Sequence, residues 1–222
     1  MNLTLIGIAV LFAILDWIAV ARKWQIVEYV AKPAVMVCLI AWLGMNNGMA
    51  VPLLWFTIGL AFSLAGDVFL MLPKERFIPG LISFLLAHIA YIIGLNTTPI
   101  PMTVVSLILL VLVGLVSLRV YSRIAQGLAA SGNGRLKMPV LAYTVVISVM
   151  LFSALLAFVR DSWTPAAALL VGFGALLFYF SDCILAWNKF VRPLKYGRLI
   201  NLSSYHIGQV LITLGAALYF LP

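Results

Sequence analysis

The chain alternates long apolar runs with short polar breaks, and the runs have membrane length. About 20 residues of helix cross the hydrocarbon of a bilayer, and eight stretches qualify: 3–21, 32–45, 51–72, 77–95, 102–120, 138–159, 164–187 and 199–221. The second is short and its start is open, because Val27 to Lys32 extend the same pattern. The breaks are Asn46-Asn47-Gly48, Pro73-Lys74, Asn96 to Pro101, Ser131 to Gly134, Asp161 to Pro165 and Arg192-Pro193, all turn chemistry. No connection is long enough for a soluble domain. The pattern predicts one all-α domain over 1–222, a polytopic bundle of eight transmembrane helices.

Composition agrees with the pattern. Of 222 residues, 65% are hydrophobic and 9% charged, too few charges to clothe a soluble surface. The net charge of +8 does not point to nucleic acid, because the basic residues sit in short connections beside apolar runs. They are topology determinants facing anionic lipid. Arg22, Lys23 and Lys32 follow span one, Lys74 and Arg76 span three, Arg119, Arg123, Arg135 and Lys137 span five, and Lys189, Arg192, Lys195 and Arg198 span seven. Only Arg160 falls on the other side. The positive-inside rule then makes the odd connections cytoplasmic and puts both termini outside, as in an integral protein of a bacterial inner (plasma) membrane. The N-terminus lacks a basic region before its apolar run, so no cleavable signal peptide is expected. Cys38 and Cys183 both fall in apolar runs, and no disulfide is expected.

The informative residues are those that do not belong in hydrocarbon. Asp67 and Asp182 each lie five residues short of the end of their spans, in a chain with six acidic residues. An intramembrane carboxylate costs about 2.5–3.5 kcal/mol on insertion scales and points to function. Two at matched depth predict one acidic centre, with the carboxyls face to face in a dry pocket and one proton shared between them. Tyr205 and His206 in span eight lie near the same level, and His88 and Tyr91 sit on one face of span four. Ser63, a turn before Asp67, and Gln209, four after Tyr205, complete the polar set. Asp16, also five residues from a basic flank, reads as structural or supporting. Gly172, Gly174, Ser204 and Gly208 read as helix-packing positions. Lys32, ahead of Pro33 at the inner edge of span two, can bind a lipid phosphate or simply anchor at the interface. Asn96-Thr97-Thr98 matches a glycosylation sequon in a loop too short to credit. The segments around Asp67 and Asp182 echo each other, as a parallel four-plus-four repeat would require.

Several chemistries lack their parts. There is no Gly-x-Ser-x-Gly elbow and no His-Glu-x-x-His. Two histidines without a cysteine or carboxylate at ligand spacing predict no metal, and no cofactor is expected. The Gly66-Asp67 pair lacks the preceding glycine and the Pro-Ala-Leu element of intramembrane aspartyl proteases.

The run Ser63 to Leu72, then Phe77 and Gly80, then Phe84-Leu-Leu-Ala-His88-Ile-Ala-Tyr91 resembles the central signature of the YhhN family, which includes the TMEM86 lysoplasmalogenases. Ala31-Lys32-Pro33, Phe180-Ser181-Asp182-Cys-Ile-Leu185 and Ser204-Tyr205-His206-Ile-Gly-Gln209 are similar to its other motifs. Span one and Asp16 have no place in that pattern. The resemblance implies an eight-span membrane hydrolase that cleaves the vinyl ether of lysoplasmalogens (lysoplasmenylethanolamine or -choline) to a fatty aldehyde and a glycerophospho-base. In an organism without plasmalogens the substrate would differ.

The residues suit that reaction. Protonation of a vinyl ether carbon produces an oxocarbenium ion, which water captures. The steps need a protonated acid and a carboxylate to stabilise the cation, as in two-carboxylate glycosidases. Asp67 and Asp182 are the expected acid/base pair, with His88, Tyr91, Tyr205 and His206 orienting them or the water and Lys32, Lys74 and Lys189 available to phosphate. Which aspartate is the acid, and the oligomeric state, are not legible. The competing class is a proton-coupled carrier of small molecules or lipids, for which paired intramembrane acids also serve. Against it, the acids lie toward one side, and no span shows the Gly/Pro interruption of a broken helix.

Overall fold

A computed structural model describes residues 2–72 and 76–221. Among these the chain forms eight α-helices and no strand: α1 (Thr4–Arg22), α2 (Gln25–Met45), α3 (Leu53–Met71), α4 (Phe77–Leu95), α5 (Val104–Ala130), α6 (Lys137–Leu155), α7 (Pro165–Phe190) and α8 (Gly197–Phe220). Short 3₁₀ turns at Gly134–Leu136 and Leu156–Val159 flank α6. The fold is the expected all-α membrane bundle. Lys74 lies outside the described residues.

Three helices extend more than two residues beyond the sequence expectation, two of them for a visible local reason. α2 begins at Gln25, because Lys23 adopts a left-handed conformation (φ 60°) that reverses the chain within two residues. Glu28 and Lys32, one turn apart on a helix, thereby become buried residues of α2 instead of loop charges. α5 runs on to Ala130, with Ile124 and Leu128 packed on Val140 and Phe190, so Arg119 and Arg123 are helical. α7 continues to Phe190. Two helix starts are capped by threonines: Thr103 accepts from the Ser106 N–H at 3.1 Å, and Thr164, just before Pro165, from the Ala167 N–H at 3.3 Å.

Among the described residues seven helices are long and apolar enough to cross a membrane. The remaining one, α8, carries Asn201, Ser203, Ser204, His206 and Gln209; Ser204, His206 and Gln209 are buried against its neighbours, and Asn201 and Ser203 are half-buried. Its contact with α7 is the most extensive in the bundle, followed by α3 with α4 and α1 with α2. Gly174 and Gly208 make the α7–α8 contact close: a Cβ on Gly208 would sit 2.8 Å from the Gly174 carbonyl oxygen. Such small-residue contacts bring membrane helices together. Gly172 instead accommodates the Phe158 ring, and Ser204 bonds back to the Ile200 carbonyl. On α3, Gly66 makes room for the Phe84 ring of α4.

Arg160, the exception to the charge pattern, is buried. Its guanidinium donates to the Leu95 carbonyl at 2.5 Å and to Asn96 Oδ1 at 2.9 Å, closing the end of α4. Asn96 in turn donates to Ile92 and Ser153, so the sequon asparagine is committed to structure.

Candidate active site

Asp67 is nearly inaccessible, and both its oxygens are held. The Lys32 ammonium lies 3.1 Å from Oδ1, and the Tyr205 hydroxyl donates to Oδ2 at 2.7 Å. Three helices meet in this carboxylate: α3 supplies it, α2 the cation and α8 the phenol. A buried charge survives only when paired and hydrogen-bonded. Lys32 is therefore less a lysine waiting for phosphate than the counter-ion of Asp67, although it also borders the cavity described below. One turn before Asp67, Ser63 accepts from Gln209 Nε2 at 2.8 Å, while Tyr91 donates to Gln209 Oε1 at 2.7 Å. That chain fastens α3, α8 and α4 beneath the carboxylate.

Asp182 is held differently. The Tyr143 hydroxyl of α6 donates to Oδ2, His88 Nε2 lies 3.4 Å from the same oxygen and 2.9 Å from the Tyr143 hydroxyl, and Ser181 approaches Oδ1 at 3.4 Å. Among the described residues His88 Nδ1 has no hydrogen-bond partner, so the tautomer with its proton on Nε2 is the one that finds an acceptor. The Asp182 side chain is 12% exposed, against 1% for Asp67. His88 and Tyr91, on one face of α4, diverge: one reaches α6 and α7, the other α8.

The two carboxyls border one cavity of about 300 Å³, whose walls include Glu28, Lys32, Asn188, Lys189, Arg198, Asn201 and Tyr205. The expected face-to-face pair with a shared proton is not what is seen: among the described residues no hydrogen bond joins the two carboxyls, and each has its own donors. The buried Phe178 ring lies between the two sets, 4.7 Å from the His88 ring and 5.3 Å from Tyr205. Glu28 pairs with Arg198, whose side chain is 62% exposed. The cavity thus reaches the surface at the end of the bundle that carries the basic connections. Asn201 donates to the Ser181 carbonyl at 2.7 Å, tying α8 to the Asp182 turn. On its other side Asp182 borders an apolar pocket of about 50 Å³ between α4, α5, α6 and α7. Cys183 faces this pocket; it and Cys38 are free thiols.

His206 stands apart from this arrangement. Its Nδ1 accepts from Trp17 Nε1 at 3.2 Å and lies 3.9 Å from Asp16 Oδ2. Consecutive helical residues point about 100° apart, so Tyr205 and His206 cannot both face Asp67, and the histidine turns toward α1. Asp16 belongs with it and, among the described residues, makes no hydrogen bond to either carboxyl. Sequence reasoning overlooked Tyr143, a lone phenol in span six, and the Glu28–Arg198 pair, whose charges look interfacial in the sequence. Among the described residues no three of His, Cys, Asp and Glu gather as metal ligands.

Comparison with known proteins agrees on relationship. The YhhN family profile matches residues 27–216. Mouse lysoplasmalogenase TMEM86B is 31% identical over 206 residues, 90% of this chain and 79% of the mouse protein. Human lysoplasmalogenase TMEM86B is 32% identical over 71% of this chain, and human lysoplasmalogenase TMEM86A 32% over 72%. The chain spans 61% and 63% of the length of those two human proteins. No solved structure gives a significant match. The matched segment leaves out α1 and contains every wall of the carboxylate cavity, and the chain belongs to the YhhN family.

Proposed function

We propose that this chain is a membrane-embedded hydrolase that cleaves the vinyl ether bond of lysoplasmalogens, with Asp182 as the proton donor and Asp67 as the fixed negative charge. The observation that carries this reading is the pair of unlike carboxyls on one cavity: a cation and a phenol hold Asp67, a phenol and an imidazole hold Asp182. The names of the mouse and human relatives supply the substrate class.

The division of roles follows from position. Of the two vinyl carbons, the one on the hydrocarbon side takes the proton, and the one bonded to oxygen becomes cationic. Asp182 stands where the apolar pocket meets the polar cavity, beside the hydrocarbon-side carbon. Asp67, held by Lys32, lies on the polar side, where as a carboxylate it stabilises the oxocarbenium ion electrostatically. Asp182 gives its proton to carbon, and a C–H bond forms as the double bond shifts toward oxygen. Water then adds to the cationic carbon, and its proton returns to the Asp182 carboxylate. The resulting hemiacetal collapses to a fatty aldehyde and the free hydroxyl of the glycerophospho-base. Tyr143 and His88 hold Asp182 in place, while Tyr205 and Lys32 do the same for Asp67. Arg198 and Lys189 at the polar walls offer positive charge to the phosphate.

By the positive-inside rule we place the basic end, and with it the cavity mouth, at the cytoplasmic face. The test is aldehyde release from a lysoplasmenylethanolamine by purified protein in detergent, for the parent and for Asp67→Asn and Asp182→Asn. Full turnover in both variants would remove the mechanism. Turnover without a sealed bilayer separates an enzyme from a carrier.

A further inference from the structure

The path from the carboxylates does not stop at the apolar pocket. Leu70, Phe84, Asp182 and Leu185 border both the pocket and the polar cavity, so the two meet at Asp182. At about 50 Å³ the pocket takes only a short stretch of hydrocarbon. A long chain whose first carbons lie there must continue elsewhere. Thr144 of α6 borders this pocket and also a third cavity, of about 270 Å³, in the groove between α5 and α6.

That groove has the character of a chain site. Its walls include Leu110, Val113, Leu118, Leu141, Val145 and Val149. Three polar groups at this level are already committed: Ser148 donates to Ser117 at 2.7 Å, and the Ser117 hydroxyl bonds that of Tyr179 at 2.8 Å. These bonds pin α5 to α6 and α7 while leaving the groove apolar. α5 is also the least buried of the candidate spans, and Leu110, Val111, Leu115 and Leu118 are exposed along it. The groove therefore lies on the side of the bundle that lipid chains cover.

We infer that the α5–α6 groove is a lateral port: the substrate's hydrocarbon chain lies in it and passes Thr144 to bring its first carbons to Asp182. This rests on the reading of the substrate as a lysophospholipid. The physical advantage is that most of the chain never leaves an apolar environment between bilayer and site, so entry requires no transfer of methylenes through water. An open groove also leaves the far end of the chain unconfined. Added length is tolerated, while bulk near the first carbons is not.

The experiment uses a saturated alkyl-ether lysophosphatidylethanolamine bearing a diazirine at the end of a long chain, photolysed with the full-length protein in detergent micelles. Peptide mass spectrometry then locates the label. The expected result is labelling within 110–121 and 141–152, lost about tenfold in Thr144→Trp, which closes the connection, and kept in Thr144→Ala. A diacyl phospholipid carrying the same diazirine should label without responding to Thr144→Trp. Label confined to α1, α2, α3 or α8 overturns the port, and so does labelling indifferent to Thr144→Trp or matched by the diacyl probe. The first readout needs no variant to fold. The probe has no vinyl ether, so failure of the port is distinguishable from failure of the proposed hydrolysis.

Discussion

Asp67 and Asp182 both border one cavity, from the last part of α3 and of α7, yet the helices around them supply different partners. Asp67 receives a lysine from α2 and a tyrosine from α8; Asp182 receives a tyrosine from α6 and a histidine from α4. The helix that follows each aspartate serves the other one: α4 reaches Asp182 and α8 reaches Asp67. Such crossing couples the two α-helical pairs, α3–α4 and α7–α8, so that neither half of the site exists without its counterpart. The contrast shows how one residue type in one kind of span acquires two settings, a closed and ion-paired one at Asp67 and a partly open one at Asp182.

Experiments can break this contrast in order of expected effect. Asp182→Asn should lower kcat by about 10²–10⁴-fold with little change in KM, the range for loss of a general acid, as measured by aldehyde release. If KM rises instead and kcat holds, Asp182 binds the substrate and does not protonate it. Lys32→Met should destabilise the fold by about 3–5 kcal/mol by leaving Asp67 buried without its partner. Thermal unfolding in detergent should show most of that loss recovered in Lys32→Met with Asp67→Asn, while activity stays absent. A double variant as unstable as the single one would mean that the pair is not a coupled unit.

Smaller effects sharpen the comparison. Tyr143→Phe removes one hydrogen bond to a carboxylate, about 1.5–3 kcal/mol, which is about ten- to a hundredfold in kcat if the bond is kept in the transition state. Tyr205→Phe should cost less, because Lys32 still holds Asp67; equal losses would erase the asymmetry. Gln209→Leu strands Ser63 and Tyr91 and should cost about 1–3 kcal/mol of stability, seen as a lower unfolding temperature, with kcat changed only a few-fold.

The spans were legible because apolar runs of membrane length have few alternatives, and the aspartates because hydrocarbon makes them conspicuous. Tyr205, Ser63 and Gln209 were found as polar neighbours on helical spacing, and the structure joins them around Asp67. Tyr143 was missed because its polar neighbours in span six are only the hydroxyls of Thr144 and Ser148, with no charged or amide side chain to mark it. Its importance comes from Asp182, 39 positions away, a proximity only tertiary packing creates. Lys32 was read as a phosphate binder or interfacial anchor and Glu28 was passed over, because a charge near a span's end looks the same whether it snorkels outward or turns inward. The left-handed Lys23 makes that difference, by starting α2 early. His206 was over-assigned through its adjacency to Tyr205, since chain neighbours on a helix face different ways.

The polarity of α8 has a consequence for how the protein is made. A segment bearing Asn201, His206 and Gln209 gains little from bulk lipid on its own, and its natural solvent is α7, through the close approach at Gly174 and Gly208. The last two helices should therefore enter the bilayer as a hairpin, with α7 shielding the hydrophilic stripe of its successor during synthesis. A bulky residue at either glycine would then act at biogenesis, before any substrate is met.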